Sequence, residues 1–378
     1  MRLHLFFLID ALGWEIASRE HFLEGFAAVR SPASPVLGYS CACIPSLLTG
    51  RLPREHGRWA MYRRDPARSP FRSHRWLLRL AALTGREEFV RRRLRAAVGN
   101  GGGYNGYWQL YAIPVRHLPE LDVVEKEDLF APGGVPGYPT VIDLIARGDA
   151  TWRGWNWRTP EPENFRAFGE AIDRERHGAL FLYAPDLDAL MHAEGTGSPS
   201  VSARVAWYDA TIREMTERAR RRYDDVRVVV MSDHGMADTI GTHDLWTPLR
   251  ALGLREPADV FFFLDSTMAR FWFGGDAARR KVLALLAEQP YGHVLSPEEE
   301  RRHGVDFASR EYGETTFLLD PGHLIVPSYM GSHASAGMHG FDPDAPPSTA
   351  FFASTMPLRA EPRSILDVKD VVEREILA

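Results

Sequence analysis

The sequence predicts an α/β fold in which a mostly parallel central sheet lies between layers of helices. Three apolar runs carry this prediction: LHLFFLID at residues 3–10, ALFLYA at residues 179–184 and VRVVVMSD at residues 226–233. Such continuous runs are typical of strands that are buried on both faces, and helical segments separate them along the chain. In sheets of this kind, ligands bind in the crevice outside the carboxyl ends of the strands.

The segments between these strands follow in order. After the first strand we expect a helix near residues 18–29, then the turn-rich SPASPVLGYS, then an apolar helical run that ends at Thr49 and Gly50. Residues 200–223 predict a long amphipathic helix that leads into VRVVVMSD, and the C-terminal ILDVKDVVEREIL predicts a surface helix.

Two regions interrupt this alternation and are predicted to be insertions. Residues 51–139 are rich in arginine and aromatic residues, and residues 256–327 combine a predicted hairpin, DVFFFLDS with ARFWFGG, with a helical and two strand-like segments. We therefore expect a catalytic core of residues 1–255 that carries the first insertion, a small α+β cap at residues 256–327, and a return to the core at residues 328–378.

Composition and charge exclude several classes of protein. The chain has 378 residues, 45% of them hydrophobic, with a formal net charge of −5, which argues against a dedicated nucleic-acid partner. Residues 51–95 are densely basic, but arginine is favoured over lysine throughout the chain. Cys41 and Cys43 are separated by one residue, so a disulfide between them is not expected. No apolar run is long enough to span a bilayer and the start lacks a signal-peptide pattern, so the expected location is cytoplasmic.

Acidic and imidazole side chains follow the predicted strands. Two of the runs end in a carboxylate, a third acid lies four residues before a histidine beyond ALFLYA, and a further histidine stands between small residues in SAGMHGFDP. Several buried carboxylates would repel one another, and two divalent cations resolve that repulsion. These donors suit zinc, although manganese and iron bind the same groups. The candidate ligands are Asp10, Asp188, His192, Asp233, His234 and His339.

A nucleophile is expected within GYSCACIPSLLTGRLPREHG. Ser40 directly precedes the apolar helical run, where the free N–H groups of a helix N-terminus favour an anion. Pro45 is compatible with this placement if the helix begins a few residues after Ser40. Ser40 is alternatively a plain helix cap, with Cys41 or Cys43 as the nucleophile, whereas Ser46 would lie too deep in the helix.

The combination of LIDALGW, YSCACIPSLLTGRLPREHG, APDLDALMHAEG, MSDHGM and GMHGFD resembles the alkaline phosphatase superfamily, and most closely its type I phosphodiesterase and nucleotide pyrophosphatase branch. These motifs occur in the family's order and span residues 10–340. The resemblance implies an alkaline phosphatase-like fold with two divalent ions, Zn²⁺ foremost and Mn²⁺ or Mg²⁺ as alternatives. It implies one ion at Asp10, Asp233, His234 and Ser40, and the other at Asp188, His192 and His339.

The resemblance also assigns roles and exposes one departure. Ser40 stands nine residues before Thr49, the spacing at which this branch carries its nucleophile. Asp188 is favoured over Asp186 because the family's ligand lies four residues before the histidine. The branch usually has an asparagine where this chain has Met61, and a thioether cannot donate a proton to a phosphoryl oxygen. His333 or an arginine of the first insertion is expected to donate instead.

The resulting hypothesis is a two-metal phosphodiesterase or nucleotide pyrophosphatase-like hydrolase that acts on a small-molecule phosphate ester through a covalent phospho-Ser40 intermediate. A phosphotransferase, a phosphomonoesterase or mutase, and a non-catalytic protein that retains the metal site are the alternatives. A sulfatase is disfavoured, because YSCACIPS lacks the Cys/Ser-x-Pro-Ser-Arg pattern. The insertions are expected to select the substrate, and their aromatic residues either stack on it or form local cores: Trp59, Trp76, Tyr104, Tyr107 and Trp108. The sequence leaves the oligomeric state open.

Overall fold

The computed structural model describes residues 1–84, 87, 89–91, 93–94, 104–148, 151–174 and 176–377. It divides into two compact units, residues 1–56, 129–238 and 335–378 in the first and residues 57–128 and 239–334 in the second. Most of both predicted insertions therefore falls in the second unit. The basic stretch at residues 51–95 lies partly outside the described residues.

The strands of the described residues are β1 (Arg2–Ile9), β2 (Val29–Ala33), β3 (Tyr62–Arg64), β4 (Leu121–Val123), β5 (Arg153–Trp155), β6 (Ala179–Ala184), β7 (Asp225–Met231), β8 (Ala237–Asp238), β9 (Gly241–His243), β10 (Val260–Leu264), β11 (Met268–Phe273), β12 (Gly292–Val294), β13 (Thr315–Leu319), β14 (His323–Ile325), β15 (Gly337–Met338) and β16 (Ala350–Ser354). The α-helices are α1 (Trp14–Arg19), α2 (Ser40–Thr49), α3 (Pro53–His56), α4 (Arg75–Thr84), α5 (Val141–Gly148), α6 (Glu161–Arg174), α7 (Asp186–Glu194), α8 (Pro199–Arg220), α9 (Trp246–Ala251), α10 (Asp276–Ala287), α11 (Pro297–His303) and α12 (Val368–Val371).

The central sheet of the first unit confirms the predicted α/β class. Its order is β2-β16-β7-β1-β6-β5, and β7, β1, β6 and β5 run parallel. β16 is antiparallel to both of its neighbours, so the sheet is mixed. The pairings Leu8↔Tyr183 and Leu8↔Met231 set the carboxyl ends of β1, β6 and β7 level with one another. The loops after these three strands therefore meet at one edge of the sheet.

Helices α6 and α8 cover one apolar surface of this sheet. Phe165 and Phe168 of α6 pack with Phe7, and Tyr208 and Ile212 of α8 join the same buried cluster. The hydroxyl of Ser198 accepts the backbone N–H of Val201 and caps α8, which begins at Pro199 as favoured for a first helical position. The predicted helix at residues 200–223 is therefore confirmed. The observed helix begins one residue before the predicted start and ends three residues before the predicted end.

The helix expected near residues 18–29 is wrong in its bounds. α1 spans Trp14–Arg19, and the chain then turns until β2 begins at Val29. His21 and Leu23 have φ angles of 52° and 57°, and Gly25 has 69°. These left-handed conformations are incompatible with a continuing right-handed helix, and for Leu23 the residue type gives no warning of them.

The second unit contains an antiparallel sheet of order β10-β11-β13-β12. β10 and β11 form the predicted hairpin, with Val260 opposite Phe273, and the predicted helix is α10. Trp59 packs against Phe307 and Tyr312, and Trp108 is buried in the same unit, so these two aromatic residues belong to local cores.

The C-terminal segment forms a short 3₁₀ turn, α12 and a π-helical turn in succession, with Ile365, Val368 and Val372 buried. Cys41 and Cys43 form no disulfide bond with each other. Among the helices of the described residues, none combines the length and apolar character needed to cross a membrane.

Candidate active site

Asp10 and Asp233 lie at the carboxyl ends of the neighbouring strands β1 and β7, and both are buried. The chain leaves β1 through Ala11, whose φ is 58°, and the backbone N–H of Ala11 donates to Asp233 Oδ1 at 3.2 Å. The hydroxyl of Tyr183, from the end of β6, donates to Asp10 Oδ2. These bonds occupy one oxygen of each carboxylate and leave the other facing the site.

Asp233 and His234 share a site because β7 has already ended at Met231. Consecutive residues within a strand would point to opposite faces, whereas the loop aims both side chains the same way. Gly235 makes this turn possible: its N–H donates to the carbonyl of Ser348, and a Cβ there would lie 2.2 Å from the carbonyl oxygen of Pro347.

Asp10, Asp233 and His234 form the first candidate metal group. Their ligand atoms lie within 4.8 Å of one another. His234 Nε2 is 3.1 Å from Asp233 Oδ2 and 3.6 Å from Asp10 Oδ1. His234 Nδ1 lies 3.0 Å from the carbonyl of Gly235, and an N–H donated there leaves Nε2 as the ligand atom.

Ser40 is the first residue of α2, and Tyr39 is the residue that precedes the helix. Ser40 Oγ lies 3.0 Å from His234 Nε2, so the hydroxyl faces the first metal group, and the cap position of the helix belongs to Tyr39 and not to Ser40. The helix begins at Ser40 itself, which places Pro45 in the helix interior, contrary to the expected later start. Pro45 deprives the carbonyl of Cys41 of its usual helical partner. Gly50, with a φ of 66°, ends the helix as predicted.

Asp188, His234 and His339 form the second candidate group, again with ligand atoms within 4.8 Å. Asp188 and His192 lie on one face of α7, and their Oδ2 and Nε2 atoms are 3.3 Å apart. His339 Nε2 is 3.4 Å from Asp188 Oδ1. His192 Nδ1 is 2.8 Å from the carbonyl of Gly337, which fixes the ring and turns Nε2 towards Asp188. His192 thus contacts this group, and His234 belongs to both groups.

The electrostatics of the site reflect three carboxylates in a buried space. Burial raises the pKa of Asp10, and the charges of Asp233 and Asp188 raise it further. Burial alone would lower the pKa of His234, but the three carboxylates outweigh it and raise that pKa to about 10. Burial and the neighbouring imidazoles lower the pKa of His339, which keeps its ring neutral and able to ligate a cation.

These residues fit divalent cations. Asp10 Oδ1, Asp188 Oδ1 and Asp233 Oδ2 are buried and accept no hydrogen bond from any residue that the structure describes. A buried carboxylate oxygen without a hydrogen-bond partner destabilises the folded protein, and a bound cation would provide the missing interaction. Mixed carboxylate and imidazole donors suit Zn²⁺ and also Mn²⁺.

Two of the alternative nucleophiles, Cys43 and Ser46, are poorly placed. Cys43 is buried, its Sγ donates to the carbonyl of Val36 at 3.3 Å, and burial raises the pKa of its thiol well above the usual value. The thiol therefore stays protonated and unreactive. Ser46 is buried as predicted, with Oγ 2.9 Å from His56 Nε2.

Three further residues were singled out in the sequence: Asp186, His333 and Met61. The carboxylate of Asp186 is 3.2 Å from Arg204, outside both metal groups. His333 is exposed and belongs to the second compact unit, so its role as a phosphoryl donor stays a prediction. The sulfur of Met61 accepts the backbone N–H of Gln109 at 3.2 Å within that same unit.

Tyr183 is the site residue that sequence reasoning missed. It is the one polar side chain in the buried run ALFLYA, and it lies one residue before the carboxyl end of β6. A hydroxyl buried at that edge needs a partner, and this signal was present in the sequence. The ring of Phe130 stacks on the ring of Tyr183, with the two ring centroids 4.5 Å apart.

The chain was compared with protein-family models, with curated proteins and with solved structures. The family model described as type I phosphodiesterase / nucleotide pyrophosphatase matches residues 5–342. An uncharacterized pyrophosphatase/phosphodiesterase of Schizosaccharomyces pombe is 36% identical over 76 residues, which cover 20% of this chain and 16% of that protein. The chain therefore spans about a sixth of the length of that curated relative.

The structure is similar to ectonucleotide pyrophosphatase / phosphodiesterase 5 from mouse, with a TM-score of 0.67 and 15% identity over 99% of this chain and 94% of the other. The human protein gives a TM-score of 0.67 with 14% identity, over 99% and 94% of the two chains. An inactive variant of the murine protein, solved in complex with AMP, matches equally well over 98% of this chain and 94% of its own. At these identities the likeness shows the fold.

Proposed function

The chain belongs to the type I phosphodiesterase / nucleotide pyrophosphatase family, and from this membership we propose that it is a two-metal phosphodiesterase with Ser40 as its nucleophile. The observation that carries the proposal is the position of Ser40 Oγ, 3.0 Å from the imidazole that both candidate metal groups share. A protein that only binds metal has no need for a hydroxyl at that point.

We propose Asp10, Asp233, His234 and Ser40 as the ligands of one cation and Asp188, His192 and His339 as the ligands of the other, with zinc as the native ion. Such cations would neutralise the buried carboxylates, lower the pKa of the Ser40 hydroxyl and offset the charge that develops on the phosphoryl oxygens. Asp188 has 19% and His192 27% of the side chain exposed, so the second group is the more accessible to solvent.

Each residue of the site has its own role in the proposed reaction. α2 holds Ser40 at its N-terminus, where backbone N–H groups favour an anionic phosphoryl group. Ser40 loses its hydroxyl proton to solvent and its Oγ bonds to phosphorus while the bond to the leaving oxygen breaks, and the leaving group departs with a proton from solvent. Water next attacks phosphorus from the opposite side, the Oγ–P bond breaks, and Ser40 regains its proton. Tyr183 holds Asp10 in place throughout.

The proposed substrate is a small phosphate diester that carries a nucleotide. This choice rests on the family and on the AMP found in the variant of the similar murine protein. We propose that the catalytic core within residues 1–255 and 328–378 carries out the chemistry, and that the insertion it carries at residues 51–139 and the cap at residues 256–327 select the substrate. Exchange of either insertion without a change in substrate preference would contradict that division.

The test compares hydrolysis of a chromogenic phosphate diester and monoester by protein stripped of metal and then reloaded with zinc or manganese. We expect diester cleavage that needs both the metal and Ser40, and Ser40→Ala is the control. A monoester preference, or transfer of the phosphoryl group to an added alcohol, would favour the phosphatase or phosphotransferase alternatives. Turnover that survives Ser40→Ala would exclude Ser40 as the nucleophile.

We also propose a cytoplasmic location. Fractionation of cells that express the tagged chain checks it, and recovery in the medium or the membrane pellet would contradict it.

A further inference from the structure

Glu161 is a buried carboxylate outside both metal groups. It is the first residue of α6 and is 2% exposed. Its Oε2 accepts the backbone N–H of Asp186 at 2.9 Å, and its Oε1 accepts the hydroxyl of Tyr208 at 2.7 Å and Nη1 of Arg204 at 3.0 Å. One side chain therefore receives three hydrogen bonds from two other helices, α7 and α8.

The bond to Asp186 solves a problem at the start of α7. The first N–H groups of a helix have no partner within the helix, and Pro185, the preceding residue, provides no side-chain cap. Glu161 supplies a carboxylate cap from another helix, where the helix dipole favours a negative charge. Arg204 reinforces the junction, because its Nη1 lies 3.2 Å from Asp186 Oδ2 as well as 3.0 Å from Glu161.

This junction lies close to one metal group along the chain. Asp188 follows Asp186 by two residues on α7, and His192 lies one helical turn further on the same face. A shift of the start of α7 therefore moves Asp188 relative to His339. Asp10 and Asp233 follow β1 and β7, and their carboxylates accept hydrogen bonds from Tyr183 and Ala11, while the backbone N–H of Asp10 donates to the carbonyl of Ala184 at the end of β6. None of these hydrogen bonds involves Glu161.

We propose that Glu161 is a positioning residue for the second metal group: by capping α7 it places Asp188 for metal binding, while the first group does not depend on it. The inference rests on the proposed two-metal function. A role limited to general stability would weaken both groups together, so selectivity between the two binding events separates the two accounts.

The experiment titrates metal-stripped protein with zinc chloride by isothermal calorimetry, with thermal unfolding of every variant as a check of folding. Two variants identify the two binding events. The event that is lost in Asp188→Asn is called the Asp188 event, and the event that is lost in Asp233→Asn is called the Asp233 event. Glu161→Ala is expected to weaken the Asp188 event by about ten-fold or more, as the loss of outer-shell partners of metal ligands commonly does. The Asp233 event is expected to stay unchanged, and Glu161→Gln, which keeps an acceptor oxygen, is expected to fall between Glu161→Ala and the unsubstituted protein.

Two further variants complete the design. Tyr208→Phe removes one of the three bonds and keeps the packing, so it should weaken the Asp188 event less, and it carries the test if Glu161→Ala does not fold. Asp173→Asn is the matched control, because Asp173 pairs with Arg218 and also joins α6 to α8, but away from α7. It should leave both events unchanged.

Equal weakening of both events, or no weakening of the Asp188 event, overturns the positioning role of Glu161. Weakening of that event by Asp173→Asn to the same extent also overturns it. If the unsubstituted protein binds fewer than two zinc ions, the proposed function fails and the inference fails with it. A different result would contradict the inference and leave the proposed function intact. In that case the protein binds two zinc ions and its turnover depends on Ser40, but neither binding event is weakened in Glu161→Ala or Tyr208→Phe.

Discussion

Replacing Gly235 with alanine tests how the loop after β7 positions His234. An added Cβ would lie 2.2 Å from the carbonyl oxygen of Pro347, whereas real Cβ contacts are essentially never shorter than 3.0 Å. The loop or the turn at Pro346–Ser348 must therefore move by at least 0.8 Å. His234 directly precedes Gly235, so movement of the loop displaces its imidazole from its position 3.0 Å from Ser40 Oγ.

A misplacement near 1 Å at a catalytic group costs about 100-fold in rate, and overpacking of this kind costs about 1–3 kcal/mol of stability. We expect kcat/KM for a chromogenic diester to fall by about that factor in metal-loaded Gly235→Ala, with a lower thermal unfolding temperature. Gly197→Ala is the matched control, since its Cβ would have no atom within 4 Å. Near-normal activity and an unchanged unfolding temperature in Gly235→Ala would refute the claim that this close approach positions His234.

Three further predictions concern single groups of the site. Tyr183→Phe removes the donor to buried Asp10 and should lower the free energy of unfolding by about 1.5–3 kcal/mol in chemical denaturation, and an unchanged midpoint would contradict it. Because the pKa of His234 is raised to about 10, the protonated imidazole stabilises the metal-free protein fully below pH 6.5, and this stabilisation is lost as the pH rises towards about 10. The unfolding temperature of the metal-free protein should therefore fall across that interval, and it should fall less in His234→Gln. Asp188→Asn should reduce diester hydrolysis by more than about 100-fold, while Asp186→Asn, whose side chain is 40% exposed, keeps most of it; the reverse ranking would reassign the ligand.

The strands that form the centre of the sheet were predictable because their apolar runs are continuous. ALFLYA matches β6 residue for residue, and VRVVVMSD overlaps β7 except at its last two residues, which follow the end of the strand. The level ends of parallel strands then bring their terminal acids to one edge, which is why Asp10 and Asp233 could be assigned to one site. β16 was missed because AFFAS is short and follows a proline-rich turn.

What the sequence could not reveal depends on tertiary contacts. The left-handed residues His21 and Leu23 follow the early end of α1, and leucine is a residue type that rarely adopts that conformation. Glu161 stands in TPEPEN, a composition typical of an exposed helix start. Its burial arises because α8, some 40 residues further along the chain, brings Arg204 and Tyr208 against it.

The covalent step at Ser40 is the central claim, and acid quenching of metal-loaded enzyme during diester turnover tests it most directly. Mass spectrometry of the peptide that contains Ser40 should show a phosphoryl ester on its hydroxyl, absent in Ser40→Ala and absent without metal. An unmodified Ser40 peptide, together with rapid turnover by Ser40→Ala, would contradict the account and point to direct attack by water.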